Sequence, residues 1–189
     1  MKKYLIVGLG NVGDQYFETR HNIGFMVLNY FAEKNDLSFD EVKYGSICKY
    51  KSKGRLFIFL KPNTYMNLSG KAVRYWLFKE NIRIENLLVI SDDLNLPLSN
   101  FRIRSMGSCG GHNGLLDIEN ILNTTMYNRL RIGISSDDKE INQIDFVLGK
   151  LNEDEYKRLY LVFPKICEVI ISFVMNGIDS TMNSYNIKK

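Results

Sequence analysis

The chain of 189 residues has few of the residues that mark several protein classes. It has only three cysteines, Cys48, Cys109 and Cys167, and this odd, scattered set predicts reduced thiols and a cytoplasmic setting rather than a disulfide-bonded fold. No apolar run reaches the ~18 uncharged residues that a membrane span needs. Gly8 and Gly10 interrupt the first apolar run, so we expect neither a membrane anchor nor a signal peptide.

The remaining composition predicts one folded domain. Three prolines are few for a chain of this length, and the formal net charge of +4 is compatible with a nucleic-acid partner without indicating one. Apolar strand-like runs alternate with amphipathic helical segments, which is typical of an α/β fold. We predict a single domain over residues 1–189, with a twisted, mixed but largely parallel sheet flanked by helices. The tail at 179–189 is polar and is predicted to be frayed and flexible. The predicted strands are 4–7, 45–50, 55–60, 87–90, 101–105 and 129–134, with 45–50 and 55–60 forming a hairpin and 92–97 a loop. The predicted helices are 23–31, 68–81, 115–122 and 153–176. Asn22 is placed to cap the first of them, and Asn152 and Glu155 can form a capping pair at the start of the last.

Gly8, Gly10 and Gly13 match the spacing of a dinucleotide-binding turn. Such a turn needs its helix to begin inside the glycine motif, so that the helix amides face the pyrophosphate. Here residues 14–20 carry no helical apolar stripe, and the first amphipathic helix begins about ten residues after the motif. We therefore interpret the glycines as a tight turn that delivers Asn11 and, through a connector, His21. A nucleotide-binding oxidoreductase remains the alternative.

Polar side chains follow several of the predicted strands. In open α/β sheets, sites form beyond the carboxyl ends of the strands, so these side chains are predicted to converge on one rim. A neutral histidine there can take a proton from water, while a nearby carboxylate fixes its tautomer. Side-chain amides can position the water and stabilise a developing oxyanion. Together, the polar residues predicted at this rim favour acyl hydrolysis without a covalent step. They are Asn11 and His21, residues 65–67, Asp92 and Asp93, and His112 and Asn113.

Other interpretations of these residues stay open. Serine catalysis is disfavoured because no G-x-S-x-G elbow occurs. Cys109 lies three residues before His112, which allows a thiol nucleophile or half of a metal site. Asp92 and Asp93 could form a turn, and Asn67 and Asn113 occupy positions where helix caps are common. On the residues alone, the prediction is an α/β domain with a hydrolase-like cleft.

Seven ordered segments carry a resemblance to a known family. They are LIVGLGNVG, TRHNIGF, KPNTYMNLSGKAV, DDLNLP, GGHNGL, RLRIGI and FVLGK. Through them the chain resembles the bacterial peptidyl-tRNA hydrolases from end to end. The resemblance implies a single α/β domain that hydrolyses the ester between a peptide and the 3′ ribose of tRNA. It also implies a cytoplasmic enzyme, expected to be a monomer, with no metal or organic cofactor.

The resemblance also implies roles for particular residues. His21 would be the base that activates water, and Asp92 would hold His21 in its basic form. Asn11 would help distinguish peptidyl-tRNA from aminoacyl-tRNA with a free amine. The residues implied to line the substrate site are Tyr16, Tyr65, Met66, Asn67 and Asn113.

A basic face is expected to bind the RNA. Arg102 and Arg104 are two residues apart on one predicted strand and so share a face, which Arg131 could join. The resemblance implies that Arg104 and Arg131 bind the 5′ phosphate of tRNA. A non-catalytic RNA-binding protein with the same cleft is a further alternative.

The chain departs from the usual family pattern at three places. Val12 stands where the turn often has proline, residues 106–109 replace a stretch usually richer in glycine, and Pro164 lies inside the last long helix. None of these departures touches a residue proposed to act in catalysis.

Overall fold

Seven strands form one mixed sheet in the computed structural model, which describes residues 1–135 and 142–186. The strand order is β2-β3-β4-β1-β5-β7-β6. The central strands β4, β1, β5 and β7 are parallel to their neighbours in this group, whereas β2, β3 and β6 pair antiparallel. The predicted fold class is confirmed. The strands are β1 (Lys2–Gly8), β2 (Asp40–Val42), β3 (Gly45–Ser52), β4 (Arg55–Pro62), β5 (Leu87–Pro97), β6 (Phe101–Arg104) and β7 (Asn128–Ser135).

Helices cover both faces of the sheet. Two hydrophobic cores result, one beneath α1 and α5 and the other beneath α2 and α3. The central strands are apolar along their length because each face lies against helices. In β1, for example, Ile6 belongs to the first core while Leu5 and Val7 belong to the second. The helices are α1 (Ile23–Lys34), α2 (Ser69–Lys79), α3 (Asn113–Leu122), α4 (Gln143–Leu148), α5 (Glu153–Asn176) and α6 (Ile178–Tyr185).

A close approach of two glycines fixes the start of α1 against the end of β1. A Cβ atom added to Gly8 would lie 2.3 Å from the carbonyl oxygen of Gly24, which leaves no room for a side chain. Gly24 is the second residue of α1, so this contact seats the helix directly behind the strand. The segment that precedes the helix, including His21, is thereby held at the carboxyl edge of the sheet.

Helix α5 is long and apolar because it covers the sheet. By length and hydropathy it is the one helix in residues 1–135 and 142–186 that could cross a membrane. Its apolar stripe nevertheless belongs to the first core, through Leu159, Phe163, Ile166, Val169, Ile170 and Phe173. Asn152 and Glu155 form the predicted capping box at its start.

The tail differs from its prediction. Residues 179–189 are predicted to be frayed, yet Ile178–Tyr185 form α6, and residues 187–189 lie outside the described part of the chain. Thr181 is fully buried, and the Asn186 side chain bonds both the amide and the carbonyl of Ile103 in β6. Residues 178–185 are therefore helical and Asn186 bonds the edge strand, while the flexibility of the tail remains a prediction.

A second difference concerns residues 92–97, predicted to be a loop. They continue β5, with Asp92 opposite Ile132 and Asp93 opposite Gly133 in β7. Two acids, an asparagine and a proline are turn-forming by composition, but the neighbouring strand supplies hydrogen-bond partners that outweigh this local preference. The extension carries Asp92 to the rim as part of a fixed strand.

Candidate active site

The connector between β1 and α1 sets the position of His21. It contains two short 3₁₀ turns, Asp14–Tyr16 and Arg20–Asn22. The backbone amide of Arg20 donates to the carbonyl of Gly149 at 3.0 Å, and the amide of Leu151 donates to Glu18 at 3.1 Å. His21 is therefore attached to two parts of the fold: the chain leading into α1 and the segment between α4 and α5.

The imidazole of His21 and the carboxylate of Asp92 are hydrogen-bonded beneath the rim. Nδ1 of His21 lies 2.9 Å from each carboxylate oxygen, and only 9% of the His21 side chain and 2% of the Asp92 side chain are exposed. An ionised carboxylate only accepts hydrogen bonds, so Nδ1 carries the hydrogen and the neutral ring keeps its lone pair on Nε2. Nε2 makes no hydrogen bond to any residue of 1–135 or 142–186, which leaves it free to accept a proton.

His112 is a second partner of the same carboxylate. Its Nε2 lies 2.8 Å from Oδ1 of Asp92, and its ring centroid lies 4.7 Å from that of His21. Its Nδ1 accepts from the amides of Gly114 and Leu115 at 3.1 and 3.3 Å, which caps α3. Because Nδ1 is used as an acceptor, the hydrogen of neutral His112 is on Nε2, where it points to Asp92. The two histidines therefore carry opposite tautomers.

Asp92 is ionised in this arrangement. Burial by itself would raise the pKa of its carboxyl group, but electrostatic attraction and hydrogen bonds from His112 and His21 outweigh burial and hold the pKa well below its usual range. The negative charge is thus present at neutral pH, where it stabilises a positive charge that develops on His21.

Asn11 lies in an adjoining buried cluster. Its backbone amide donates to Oδ1 of Asn22 at 2.8 Å, and the Asn22 Nδ2 donates to the Asn11 carbonyl at 2.9 Å. The side-chain Oδ1 of Asn11 accepts from the amide of Met66 at 2.7 Å. This bond fixes the orientation of the Asn11 amide, so its Nδ2 is the group left to donate to a substrate.

Gly114 joins the two clusters. A Cβ atom at Gly114 would lie 2.6 Å from the sulfur of Met66 and 3.1 Å from Cε1 of His112. A side chain at this position would displace Met66 or His112 from the start of α3. The Asn11 cluster and the histidine pair are consequently parts of one packed rim.

An open cleft of about 110 Å³ lies above the histidine pair. Four of the residues proposed for the site line it: His21, Asp92, Asn113 and Arg131. The walls are Gly110 and Gly111 on one side and Gln143, Ile144 and Val147 of α4 on another. The arrangement offers a proton acceptor, a buried negative charge and an arginine around one space.

Other predicted residues lie outside this cleft. Met66 is buried, while Tyr65 is 58% exposed and Asn67 is exposed in the turn before α2. Tyr16 is half-buried in the first 3₁₀ turn and does not line the cleft. Arg104 is exposed at the end of β6, opposite Arg129. The roles predicted for these residues remain predictions.

The register of β6 and β7 confirms the shared basic face. Arg102 pairs with Arg131, and Arg104 pairs with Arg129, so all four side chains lie on the same face of the sheet. Arg129 is fully buried and bonds Glu119 at 3.1 Å, which makes it part of the core. Arg131 is held near Asp93 at 3.7 Å. Arg102 and Arg104 are the more accessible cations of this face.

The caps of α1 and α3 differ from their predictions. Asn113, expected to cap α3, is its first residue, and His112 caps it. Asn22 precedes α1 as predicted but its side chain bonds Asn11 rather than the helix amides. Histidine is not among the preferred capping residues, so residue preference pointed to asparagine.

The route by which His112 reaches the rim also differs from the expected one, in which a strand ends at the rim. Because β6 runs antiparallel to β7, its carboxyl end lies at the opposite edge of the sheet. Residues 105–112 return the chain to the rim. The alternation of strands and loops in the sequence does not disclose this reversal. His112 is predicted among the polar residues at the rim, but no role in the site is predicted for it. The chain has only two histidines, which was the available signal.

Two alternative chemistries find little support in the geometry. His21, Asp92 and His112 place three ligand atoms within 4.8 Å of one another, but Nδ1 of His21 and Nε2 of His112 donate to the carboxylate and Nδ1 of His112 accepts from helix amides. Nε2 of His21 is then the one ring nitrogen of this group with a free lone pair, which is fewer than a metal site needs. Cys109 lines the cleft, yet both nitrogens of His112 are engaged and cannot activate a thiol. The geometry favours water activation by His21.

The glycine turn has no nucleotide-binding helix. A short 3₁₀ turn follows Gly13, and α1 begins only at Ile23. Gly10 packs against the ring of Phe25, where a Cβ atom would lie 2.8 Å away. The interpretation of these glycines as turn residues agrees with the structure, which also shows Gly8 and Gly10 packed against α1.

Comparisons with known proteins agree on one family. The family model described as peptidyl-tRNA hydrolase matches residues 5–189. A peptidyl-tRNA hydrolase of Bacteroides fragilis is 53% identical over 98% of this chain and 100% of its own length. One of Cytophaga hutchinsonii is 48% identical over 99% and 100%. The crystal structure of peptidyl-tRNA hydrolase from Acinetobacter baumannii superposes with a TM-score of 0.90 at 31% identity, covering 98% of this chain and 95% of that one.

Proposed function

The chain belongs to the peptidyl-tRNA hydrolase family, and from this premise we propose that it hydrolyses the ester between a peptide and the 3′ ribose of tRNA. The reaction would recycle tRNA from aborted translation. The observation that carries the chemical proposal is the contact of His21 Nδ1 with both oxygens of buried Asp92, since it leaves Nε2 as a free base.

The proposed reaction uses water directly. Nε2 of His21 takes a proton from water as the water oxygen bonds to the ester carbonyl carbon. Asp92 stabilises the resulting imidazolium. The imidazolium then returns the proton to the ribose 3′ oxygen as the carbon–oxygen bond breaks, giving a peptide acid and a free tRNA 3′ hydroxyl. A positioned base of this kind contributes about 10²–10⁴-fold in rate.

Asn11 is proposed to select the blocked substrate. Its Oδ1 is occupied by the Met66 amide, so its Nδ2 can only donate. A peptide carbonyl next to the ester accepts such a bond, whereas the charged amine of an aminoacyl-tRNA has no lone pair to accept one. Loss of this one hydrogen bond to Asn11 would favour peptidyl-tRNA over aminoacyl-tRNA by on the order of 1–3 kcal/mol.

The remaining residues are proposed to hold the rest of the substrate. Tyr16, Tyr65, Met66, Asn67 and Asn113 would line the peptide and 3′ end. Arg104 and Arg131 would bind the 5′ phosphate of the tRNA, and the exposed position of Arg104 supports this. Phosphate binding would make affinity fall steeply with salt.

We further propose that the enzyme acts as a cytoplasmic monomer without a cofactor, metal or membrane. The odd number of unpaired cysteines supports a reducing compartment. The hydrogen bonds from both histidines to Asp92 support acid–base chemistry over a metal-bound water.

The test is release of the N-blocked amino acid from blocked aminoacyl-tRNA by the wild type and by His21→Ala. The variant is expected to lose about 10²–10⁴-fold in kcat. Lys157→Ala, on the exposed side of α5, serves as the control. Unchanged turnover in His21→Ala would contradict the mechanism. A wild-type protein that binds tRNA and releases nothing would instead be a non-catalytic RNA-binding protein.

A further inference from the structure

Arg20 precedes His21 and has no part in the proposed proton transfer, yet both of its terminal nitrogens are hydrogen-bonded within the fold. Its Nη2 donates to both carboxylate oxygens of Glu155, at 2.9 and 2.8 Å. Its Nη1 donates to the carbonyl of Phe146 at 3.2 Å, and its guanidinium lies 4.2 Å from the centre of the Phe146 ring. Only 12% of the Arg20 side chain and 16% of the Glu155 side chain are exposed.

These contacts join three separate parts of the chain. Arg20 lies in the turn that carries His21, Phe146 lies in α4, and Glu155 lies in the first turn of α5. The backbone follows the same course, since Thr19 forms a β-bridge with Lys150. The turn before α1 is therefore fastened, by side chain and main chain, to the segment from α4 to α5.

Helix α4 is the part of this assembly that faces the cleft. Ile144 and Val147, on either side of Phe146 in sequence, both line the cleft beside His21. Arg20 holds the backbone of the same helix through the Phe146 carbonyl. The base and one wall of the cleft thus share a single anchoring side chain.

The surroundings favour an arginine at this position. The Glu155 carboxylate is oriented by the capping box, in which its Oε2 accepts from the Asn152 amide at 2.8 Å. The guanidinium reaches the Phe146 carbonyl through Nη1 and the Glu155 carboxylate through Nη2 while it lies over the Phe146 ring. The single nitrogen of a lysine does not provide two separate donors in one planar, stacking group. Gly149 leaves the necessary space, because a Cβ atom there would lie 2.8 Å from Nη1 of Arg20.

We propose that Arg20 is a positioning residue, which ties the His21 turn to the α4 wall so that the base and the substrate-facing wall keep one relative position. The inference rests on the proposed role of His21 as the base. Misplacing a catalytic group by about 1 Å costs up to about 10²-fold in rate, so loss of this tie has a measurable effect on turnover.

The test compares Arg20→Gln with a matched arginine on α5. Arg158 also pairs with a carboxylate, Asp154, at 4.0 Å, but the two side chains are 55% and 81% exposed and lie outside the cleft. At a temperature where all variants are folded, Arg20→Gln is expected to lower kcat and raise KM, with kcat/KM falling roughly ten- to hundredfold. Arg158→Gln is expected to stay within about twofold of the wild type. If Arg20→Gln lowered only the melting temperature and left kcat and KM as in the control, the proposal would be overturned.

Glu155→Gln tests the same tie without touching the His21 turn. Glutamine is accepted at this position of a capping box, so the start of α5 is retained while the ion pair is lost. We expect a smaller loss of the same kind, and a double variant no worse than Arg20→Gln alone. Additive losses would show that the two residues act separately, which contradicts the proposal. If Arg20→Gln does not fold, Glu155→Gln carries the test.

The two proposals fail separately. An active His21→Ala variant contradicts the role of the base. An unaffected Arg20→Gln variant beside an inactive His21→Ala contradicts only the positioning role.

Discussion

The buried and the exposed residues of the site differ in how far their side chains are hydrogen-bonded within the protein itself. Within the described part of the chain, His21, Asp92, His112 and Asn11 are all buried or nearly so, and each has a hydrogen-bond partner. The exposed side chains proposed to hold the substrate make no such bonds to the described residues; they are Tyr65, Asn67, Arg104 and Asn113.

This difference separates two tasks. The buried group is fixed before any substrate arrives, so it costs no reorganisation at the moment of reaction. The exposed group has hydrogen-bonding capacity that a ligand can use in exchange for water. Substitutions in the buried group are therefore expected to act mainly on kcat, and those in the exposed group mainly on KM.

Asp92→Asn should have the largest effect on the buried group. An amide is nearly the same size, but it carries no charge. Its NH₂ group would also replace one of the two oxygens that Nδ1–H of His21 contacts. We expect kcat to fall by about 10²–10⁴-fold with little change in KM, measured with N-blocked aminoacyl-tRNA. A kcat and pH profile equal to those of the wild type would remove Asp92 from the mechanism.

The same carboxylate should make stability depend on pH. Its pKa is lower in the folded state than its unfolded value near 3.9, so its contribution is present above about pH 4 and is lost as pH falls through the folded value. The contribution is on the order of 1–3 kcal/mol. Urea unfolding between about pH 2 and pH 5 measures it as the difference between the wild type and Asp92→Asn in the slope of unfolding free energy against pH. Parallel slopes would contradict the ionised, bonded state of Asp92.

His112 has two roles that a pair of variants separates. His112→Ala removes both the cap of α3 and the bond to Asp92, whereas His112→Asn restores a preferred capping residue and removes only that bond. We expect His112→Ala to lose about 1 kcal/mol of stability and His112→Asn to lose less. Both should lower kcat by roughly tenfold, because Asp92 loses one of its two donors. Full activity in His112→Asn would limit His112 to capping.

Arg104→Ala should give the smallest effect and act on the exposed group. We expect KM to rise a few-fold, kcat to stay constant, and the slope of log affinity against log salt to decrease by about 1. Arg83→Ala is the matched control, since Arg83 is 80% exposed, pairs with Glu85 and lies outside the arginine-bearing face of β6 and β7. Equal salt slopes for the two variants would show that Arg104 does not contact phosphate.

Much of the fold could be predicted because its signals are local. Apolar runs predicted the central strands, the 3.6-residue stripe and the capping box predicted α5, and two short runs predicted the β3–β4 hairpin. Residues 92–97 and α6 were missed because their structure depends on partners distant in sequence. Asp92 extends a strand through β7, and Asn186 is held by Ile103.

The site was predictable to a similar extent. The spacing of polar residues after strands, together with the family resemblance, brought His21 and Asp92 together, and the structure places them 2.9 Å apart. His112 could not be assigned in the same way, because its position depends on the reversal of β6 and on a helix cap of an uncommon type.

The most direct test of the account is the protonation of the two histidine rings in the substrate-free protein. Nitrogen-15 NMR of histidine-labelled protein at neutral or mildly alkaline pH distinguishes protonated from unprotonated ring nitrogens, and His112→Asn assigns the signals. We predict that His21 carries its hydrogen on Nδ1 with Nε2 unprotonated, while His112 carries its hydrogen on Nε2 with Nδ1 unprotonated. A His21 ring protonated on Nε2, or averaging between both tautomers, would contradict the claim that the buried network sets the base before substrate binds.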